Sequence, residues 1–427
     1  VEFENLNGKI EMNAPLFARY CGIDIGKYYA TIHGKNFTVE LEGTGIVTPD
    51  TLDEKEEEKK EMNSPTEIGT WFMAPAMAPN KPRNEFLGIK GTITYIPWVS
   101  LHQKPVSTVP LKGVIVKLYI LDESKYKYKY IGKTNTGMDG KFYFTQTIPS
   151  ESKVKLVIKL EDAYGGKSRV KVISNSTHKP YEKVVEYRIA EKGRDIYIPI
   201  EKPTKWRKKY DEHLFHGAVS IYDTIWMAHS TFKRLTGKND MHRIDVKYPA
   251  KGTYYWWFNN DIYIQEGAAW DKYTIRHEYG HAVADRYGFS DISAGGEHGG
   301  HTSPKLAFSE GFADFFETVI KKEEDNVLNI YNWKPEDEEN GDVEDAVTAT
   351  LWDLYDDDNK DDIDKKGNRH DFLTYPFWTI FKDLCKLKGW FKEKTIYSLY
   401  NVLIKEHSGH QRLIEDIYKW NGINPTK

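Results

Sequence analysis

From residue 87 to 201 apolar and polar positions alternate with a period of two, broken at short intervals by Gly, Pro and Asp. Val114-Ile-Val-Lys-Leu-Tyr-Ile, Lys141-Phe-Tyr-Phe-Thr and Val154-Lys-Leu-Val-Ile-Lys-Leu are the clearest runs. Such runs predict short strands, and their spacing predicts a β-sandwich. After Pro203 the period changes. Leu214, Val219, Ile221, Ile225, Met227 and Phe232 fall at helical spacing in a segment from Tyr210 that stops at Gly237. Helical patterns then alternate with one strand region, Thr253-Tyr-Tyr-Trp-Trp-Phe-Asn-Asn-Asp-Ile-Tyr-Ile. The first fifty residues also alternate, as in Phe37-Thr-Val-Glu-Leu. They are followed by a charge run at 53–60 (DEKEEEKK) and a segment punctuated by Pro75, Pro79 and Pro82.

This pattern predicts a multidomain protein. Residues 1–80 form a β-rich segment with a charged linker, 81–204 an all-β domain, and 205–427 a mainly helical α+β domain. Within the β region, Pro110-Leu-Lys-Gly-Val-Ile-Val-Lys-Leu-Tyr followed by Thr136-Gly-Met-Asp-Gly-Lys-Phe-Tyr-Phe resembles the transthyretin-like sandwiches appended to secreted peptidases. Asp139-Gly140 predicts its tight turn.

Composition adds limits. A length of 427 residues suits two or three domains, and 39% hydrophobic with 14% aromatic residues is globular. A net charge of −4 gives no general reason to expect nucleic acid or an anionic membrane as partner. No apolar stretch reaches the ~18 residues of a membrane span. Cys21 and Cys385 stand at opposite ends of the chain, too few for a disulfide framework or a thiolate metal site. The chain opens on Val1 without a secretory leader, which is weak evidence about its compartment.

The chemistry is concentrated in His277-Glu278-Tyr279-Gly280-His281. Residues four apart share one helix face, so both imidazoles can meet one metal ion, with Glu278 beside them to take a proton from a water. Two surface histidines and an incidental glutamate are the plain alternative. A catalytic zinc needs a third protein ligand. The metzincin extension would place Gly at 284 and His at 287, where this chain has Ala284 and Tyr287. Further on, Phe308-Ser-Glu-Gly-Phe-Ala-Asp-Phe-Phe lies in a second helical pattern. Its Glu310 and Asp314 share a face, and carboxylates on so aromatic a helix are costly unless paired or metal-bound.

HExxH followed by a helix bearing ExxxD resembles the gluzincin zinc peptidases, the clan of thermolysin, over residues 210–427. The resemblance implies zinc on His277, His281 and Glu310, with Glu278 as general base and Asp314 orienting a ligand imidazole. It implies an edge strand, here Thr253 to Ile264, that accepts an extended peptide; Asn259 and Asn260 either contact that peptide or simply make a turn. It also implies a protein or peptide substrate and a secreted or cell-surface location.

The chain departs from the family in two places. The connection from His281 to Glu310 holds Gly295-Gly-Glu-His-Gly-Gly-His301, where His298 and His301 are exposed, cleft-lining or ligating, with His301 the rival to Glu310. Before the helical pattern at 345–356 (DAVTATLWDLYD) the histidine that stabilises the oxyanion in thermolysin-like enzymes is missing, leaving Tyr355 and His370 as candidates. The acidic loop 356–364 offers oxygen ligands that suit calcium, although a solvated turn is the commoner explanation. The expected activity is a zinc-dependent endopeptidase. A zinc aminopeptidase and a non-catalytic zincin-like binding protein are the alternatives, and Glu278 favours an enzyme because a structural metal needs no base.

Overall fold

The computed structural model describes residues 8–12, 24–34, 37–46, 86–97, 108–149, 152–162, 170–189, 196–200, 210–291, 301–325, 340–356, 372–389 and 392–425. Two compact units are distinguished, one of residues 1–83 with 232–239 and one of residues 84–231 with 240–427. The first contains an antiparallel sheet of β1 (Gly8–Met12), β2 (Asp24–Gly34) and β3 (Phe37–Ile46) in that order. The charge run and the proline-punctuated segment after it lie outside the described residues.

In the second unit β4 (Phe86–Tyr95), β5 (Val109–Pro110), β6 (Val114–Asp122), β7 (Lys127–Asn135), β8 (Lys141–Pro149) and β9 (Lys153–Asp162) follow closely. Then come β10 (Val170–Ser174), β11 (Glu182–Arg188), β12 (Ile196–Ile200) and helix α1 (Tyr210–Thr236), with β13 (Ile244–Ala250), β14 (Tyr254–Trp256) and β15 (Asp261–Gln265) beyond. The strands make a four-stranded sheet, β12-β4-β5 with β8 on β4, and an eight-stranded one. The larger runs β14-β15-β13-β10-β9-β6-β7, with β11 also on β9. The expected boundary near residue 203 falls between strands that this sheet joins, because β10 and β13 pair in parallel from Val170↔Ile244 to Ser174↔Tyr248.

Alternation decides the faces of the large sheet. Val116 and Leu118 of β6, Val154, Leu156, Ile158 and Leu160 of β9 and Val246 of β13 are fully buried. Their neighbours on the opposite face are Lys117, Tyr119, Lys155 and Lys159, which reach solvent. Asp139-Gly140 does form a turn into β8, where Gly140 has φ +72° and a Cβ would stand 2.4 Å from the Ile93 carbonyl.

The predicted strand at 253–264 is a hairpin instead. β14 and β15 pair antiparallel from Tyr254↔Tyr263 to Trp256↔Asp261. The reversal falls on Asn260, whose φ of 56° suits asparagine better than any branched residue. Tyr255 donates to Asn260 Oδ1 and Asn259 Nδ2 donates to Asp261, so both asparagines serve the turn.

Helices α2 (Lys272–Tyr287), α3 (Pro304–Asp325), α4 (Glu344–Asp353), α5 (Phe377–Leu384), α6 (Ile396–Glu406) and α7 (Gln411–Trp420) complete the unit. An aromatic cluster backs α3: Phe289 meets Phe312 at 4.7 Å, Phe315 stacks on Phe377 at 5.9 Å, and Phe377 on Phe381 at 6.0 Å. Rings packed against Phe312 and Phe315 fix the roll of α3, and with it the direction of the carboxylates on its other face.

Candidate metal centre

Both helices that carry the site have local reasons to begin and end where they do. The Asp271 side chain accepts from the amides of Tyr273 and Thr274, capping α2, and Gly288 closes that helix in the left-handed region (φ 76°). Ser303 accepts from the Leu306 amide ahead of α3, and Pro304 occupies the first helical position. Close approach is then set by glycine. A Cβ on Gly280 would lie 3.1 Å from Ala313 Cα, and one on Gly311 would lie 2.7 Å from Val347 and 2.8 Å from the Glu344 carbonyl. Small residues thus bring α2 onto α3 and α3 onto α4.

At that crossing His277, His281 and Glu310 converge. Glu310 Oε2 lies 3.2 Å from His277 Nε2 and 3.1 Å from His281 Nε2, and the two Nε2 atoms are 3.1 Å apart. Three ligands of a tetrahedral zinc at ~2.0–2.1 Å would stand about 3.3 Å apart, so the trio fits a zinc ion. Among the described residues it is the one such group of metal-ligating side chains.

The electrostatics agree. Burial acts against a charge on His277, but hydrogen bonds to Asp314 and Glu310 outweigh it and push its pKa up to about 10. Burial likewise acts against a charged Glu310, and its bonds to the two imidazoles nevertheless hold it well below the usual carboxylate range. Positive charge shared among the three groups, as a proton or a metal ion, is what the arrangement stabilises.

Asp314 Oδ1 sits 2.6 Å from His277 Nδ1 and also accepts from the Tyr273 hydroxyl at 2.7 Å. With Nδ1 turned toward a carboxylate, Nε2 faces Glu310, as a ligating imidazole requires. Tyr273 had no place in the sequence reading. Its signal was available, since it stands one helical turn before His277 on the same face. Glu278 is buried (8% exposed) and takes no side-chain hydrogen bond among the described residues, which leaves its carboxylate able to bind water.

The remaining candidates are not brought to this centre. Tyr355 donates at 2.9 Å to Glu323, thirteen positions past Glu310 on α3 and so about 20 Å along its axis. Its ring packs on Phe315, Trp352 and Phe377, the environment of a structural tyrosine and not of an oxyanion donor. His301 is exposed. Its Nδ1 pairs with Asp342 at 3.2 Å while its backbone bridges to Val343, so the rival third ligand is held to the entry of α4. His298, His370 and, after Asp356, the acidic loop lie outside the described residues.

Residues 227–394 match the family model for the mycolysin C-terminal domain, a domain of thermolysin-like metallopeptidases. This span holds His277, Glu278, His281, Glu310 and Asp314, and the match points to a zinc-peptidase family. No curated protein matches the chain. Among solved structures, a 9R-lipoxygenase from Cyanothece PCC8801 matches 39% of this chain and 27% of its own length, at 12% identity and a TM-score of 0.15. A likeness that slight carries no argument.

Proposed function

We propose that the chain hydrolyses internal peptide bonds as a zinc endopeptidase, with His277, His281 and Glu310 as the metal ligands. The observation that carries this reading is the 3.1–3.2 Å triangle of those ligand atoms, with Glu278 next to His277 on the same helix. Zinc held there would polarise the scissile carbonyl and acidify a water molecule. Glu278 takes the proton from that water and delivers it to the departing amine. Asp314, by accepting from Nδ1, keeps the His277 ring in the orientation that ligation needs. β14, which ends the large sheet, offers main-chain groups to an extended substrate.

We read the strands before residue 200 as a transthyretin-like sandwich that positions substrate or anchors the enzyme, and the location as secreted or cell-surface. No helix among the described residues is long and apolar enough to cross a membrane. The deciding experiment replaces Glu278 by Gln. The variant is expected to keep its zinc and lose casein cleavage, and undiminished cleavage would overturn the mechanism.

A further inference from the structure

The outer face of β6, β7, β9 and β11 has a charge opposite to that of the chain. The whole sequence carries −4. On this face, strand pairing places Lys117 opposite Lys133, Tyr119 between Tyr130 and Lys155, and Lys155 opposite Glu186. Lys159 lies opposite Glu182, and Lys153 opposite Arg188. Six cations therefore share the face with three carboxylates, Glu161, Glu182 and Glu186, of which Glu182 and Glu186 pair with Lys159 and Lys153. Tyr130 and Val184 are about half exposed (49% and 48%).

Two lysines directly across a strand pair repel, and a sheet gains nothing from them by itself. Burial, and next the Lys159 ammonium, hold the Lys117 pKa below the usual lysine range, so the crowding of charge is felt on this face. We propose that this face is a docking surface for acidic, extended polypeptide.

Two observations favour polypeptide over other polyanions. Lys155 Nζ lies over the rings of Tyr119 (4.9 Å) and Tyr128 (4.3 Å), and Tyr130 packs edge-on against Tyr119. The Tyr119 and Tyr128 rings, covered in this way, offer little area for stacking a base or a sugar. In addition, β7 ends the sheet and pairs with no further strand among the described residues; Gln146 of β8 approaches it at Gly132, so an extended chain can add along Lys127 to Ile131 while its carboxylates meet the lysines. Lysines on an edge strand also discourage self-pairing, but that role accounts for β7 alone and not for Lys117, Lys155 and Lys159 on interior strands.

The inference stands apart from the peptidase reading because it is tested as binding. Fluorescein-labelled oligo-glutamate is titrated with the full chain and followed by anisotropy at low and physiological salt. The expected result is salt-sensitive binding that weakens roughly tenfold or more in Lys117→Glu/Lys133→Glu, and is unchanged in Lys405→Glu/Lys419→Glu on α6 and α7. If the first variant fails to fold by circular dichroism, Lys133→Gln/Lys155→Gln replaces it, with an expected loss of about threefold. Equal affinities across the folded variants overturn the proposal. So does displacement of the probe by oligo-dT or heparin at lower concentration than by oligo-aspartate. The Glu278→Gln variant is expected to bind the probe like the unaltered chain even though it cannot cleave.

Discussion

The hydroxyl of Tyr273 and Nδ1 of His277 converge on one atom, Oδ1 of Asp314, at 2.7 and 2.6 Å. The carboxylate is held from two sides, so the acceptor that the His277 ring faces stays in place. Asp314→Ala is expected to weaken zinc binding about 10–100-fold, and Tyr273→Phe by less because the His277 bond survives. Competition with a chromogenic chelator measures both. Equal affinity in Asp314→Ala and the parent would remove Asp314 from the site.

The third ligand separates cleanly from its rival. Glu310→Ala should leave the purified protein with little zinc by elemental analysis, whereas His301→Ala, removing a ring that is exposed and paired with Asp342, should retain a full complement. The reverse pattern would transfer ligation to the loop.

Helix contact at Gly311 leaves no room for a methyl group, since Val347 and the Glu344 carbonyl would stand 2.7 and 2.8 Å away. Gly311→Ala should therefore lower stability by about 1–3 kcal/mol, although alanine is the better helix former. A thermal melt that rises on substitution would show that α4 can retreat.

Glu317 gives a pH dependence. It is 1% exposed, and burial pushes its pKa up to about 7 despite Arg276, whose guanidinium lies 3.6 Å away. A carboxyl whose folded pKa is raised stabilises the fold fully below its unfolded value near 4.5, and that contribution fades as pH climbs through 7. The loss between pH 4 and 8 is on the order of 3 kcal/mol. Glu317→Gln should flatten this part of the stability profile in urea titrations at several pH values. A slope unchanged by the substitution would place the ionisation elsewhere.

For Tyr355 the expectation is structural. Tyr355→Phe removes the bond to Glu323 and should cost about 1 kcal/mol of stability while kcat on casein stays the same. A fall in kcat at unchanged stability would restore it to the chemistry.

The two halves of the candidate metal centre were legible because helix geometry is periodic. Spacing of four put His277 beside His281 and Glu310 beside Asp314, and caps at Asp271 and Gly288 are local signals. What joined those two faces was not legible. The meeting of α2 with α3 depends on Gly280 lying against Ala313, a contact between residues far apart in sequence that no local pattern records. The hairpin at β14 and β15 was missed for a related reason. A run of five consecutive aromatics, Tyr254 to Phe258, looks like one strand, and the two asparagines after it allow a turn at Asn260 without requiring one. For Tyr355, sequence shows a hydroxyl after a helical pattern but does not say how far along α3 it will land.

The crossing of α2 and α3 has a consequence beyond the proposed catalysis. His281 and Glu310 are twenty-nine positions apart, and an ion gripped by both closes the intervening chain into a ring. Zinc bound there would act as a reversible crosslink, restricting the chain much as a disulfide would in a protein whose two cysteines, Cys21 and Cys385, are far apart in sequence. Chelation would then remove a structural tether in the same moment as a cofactor.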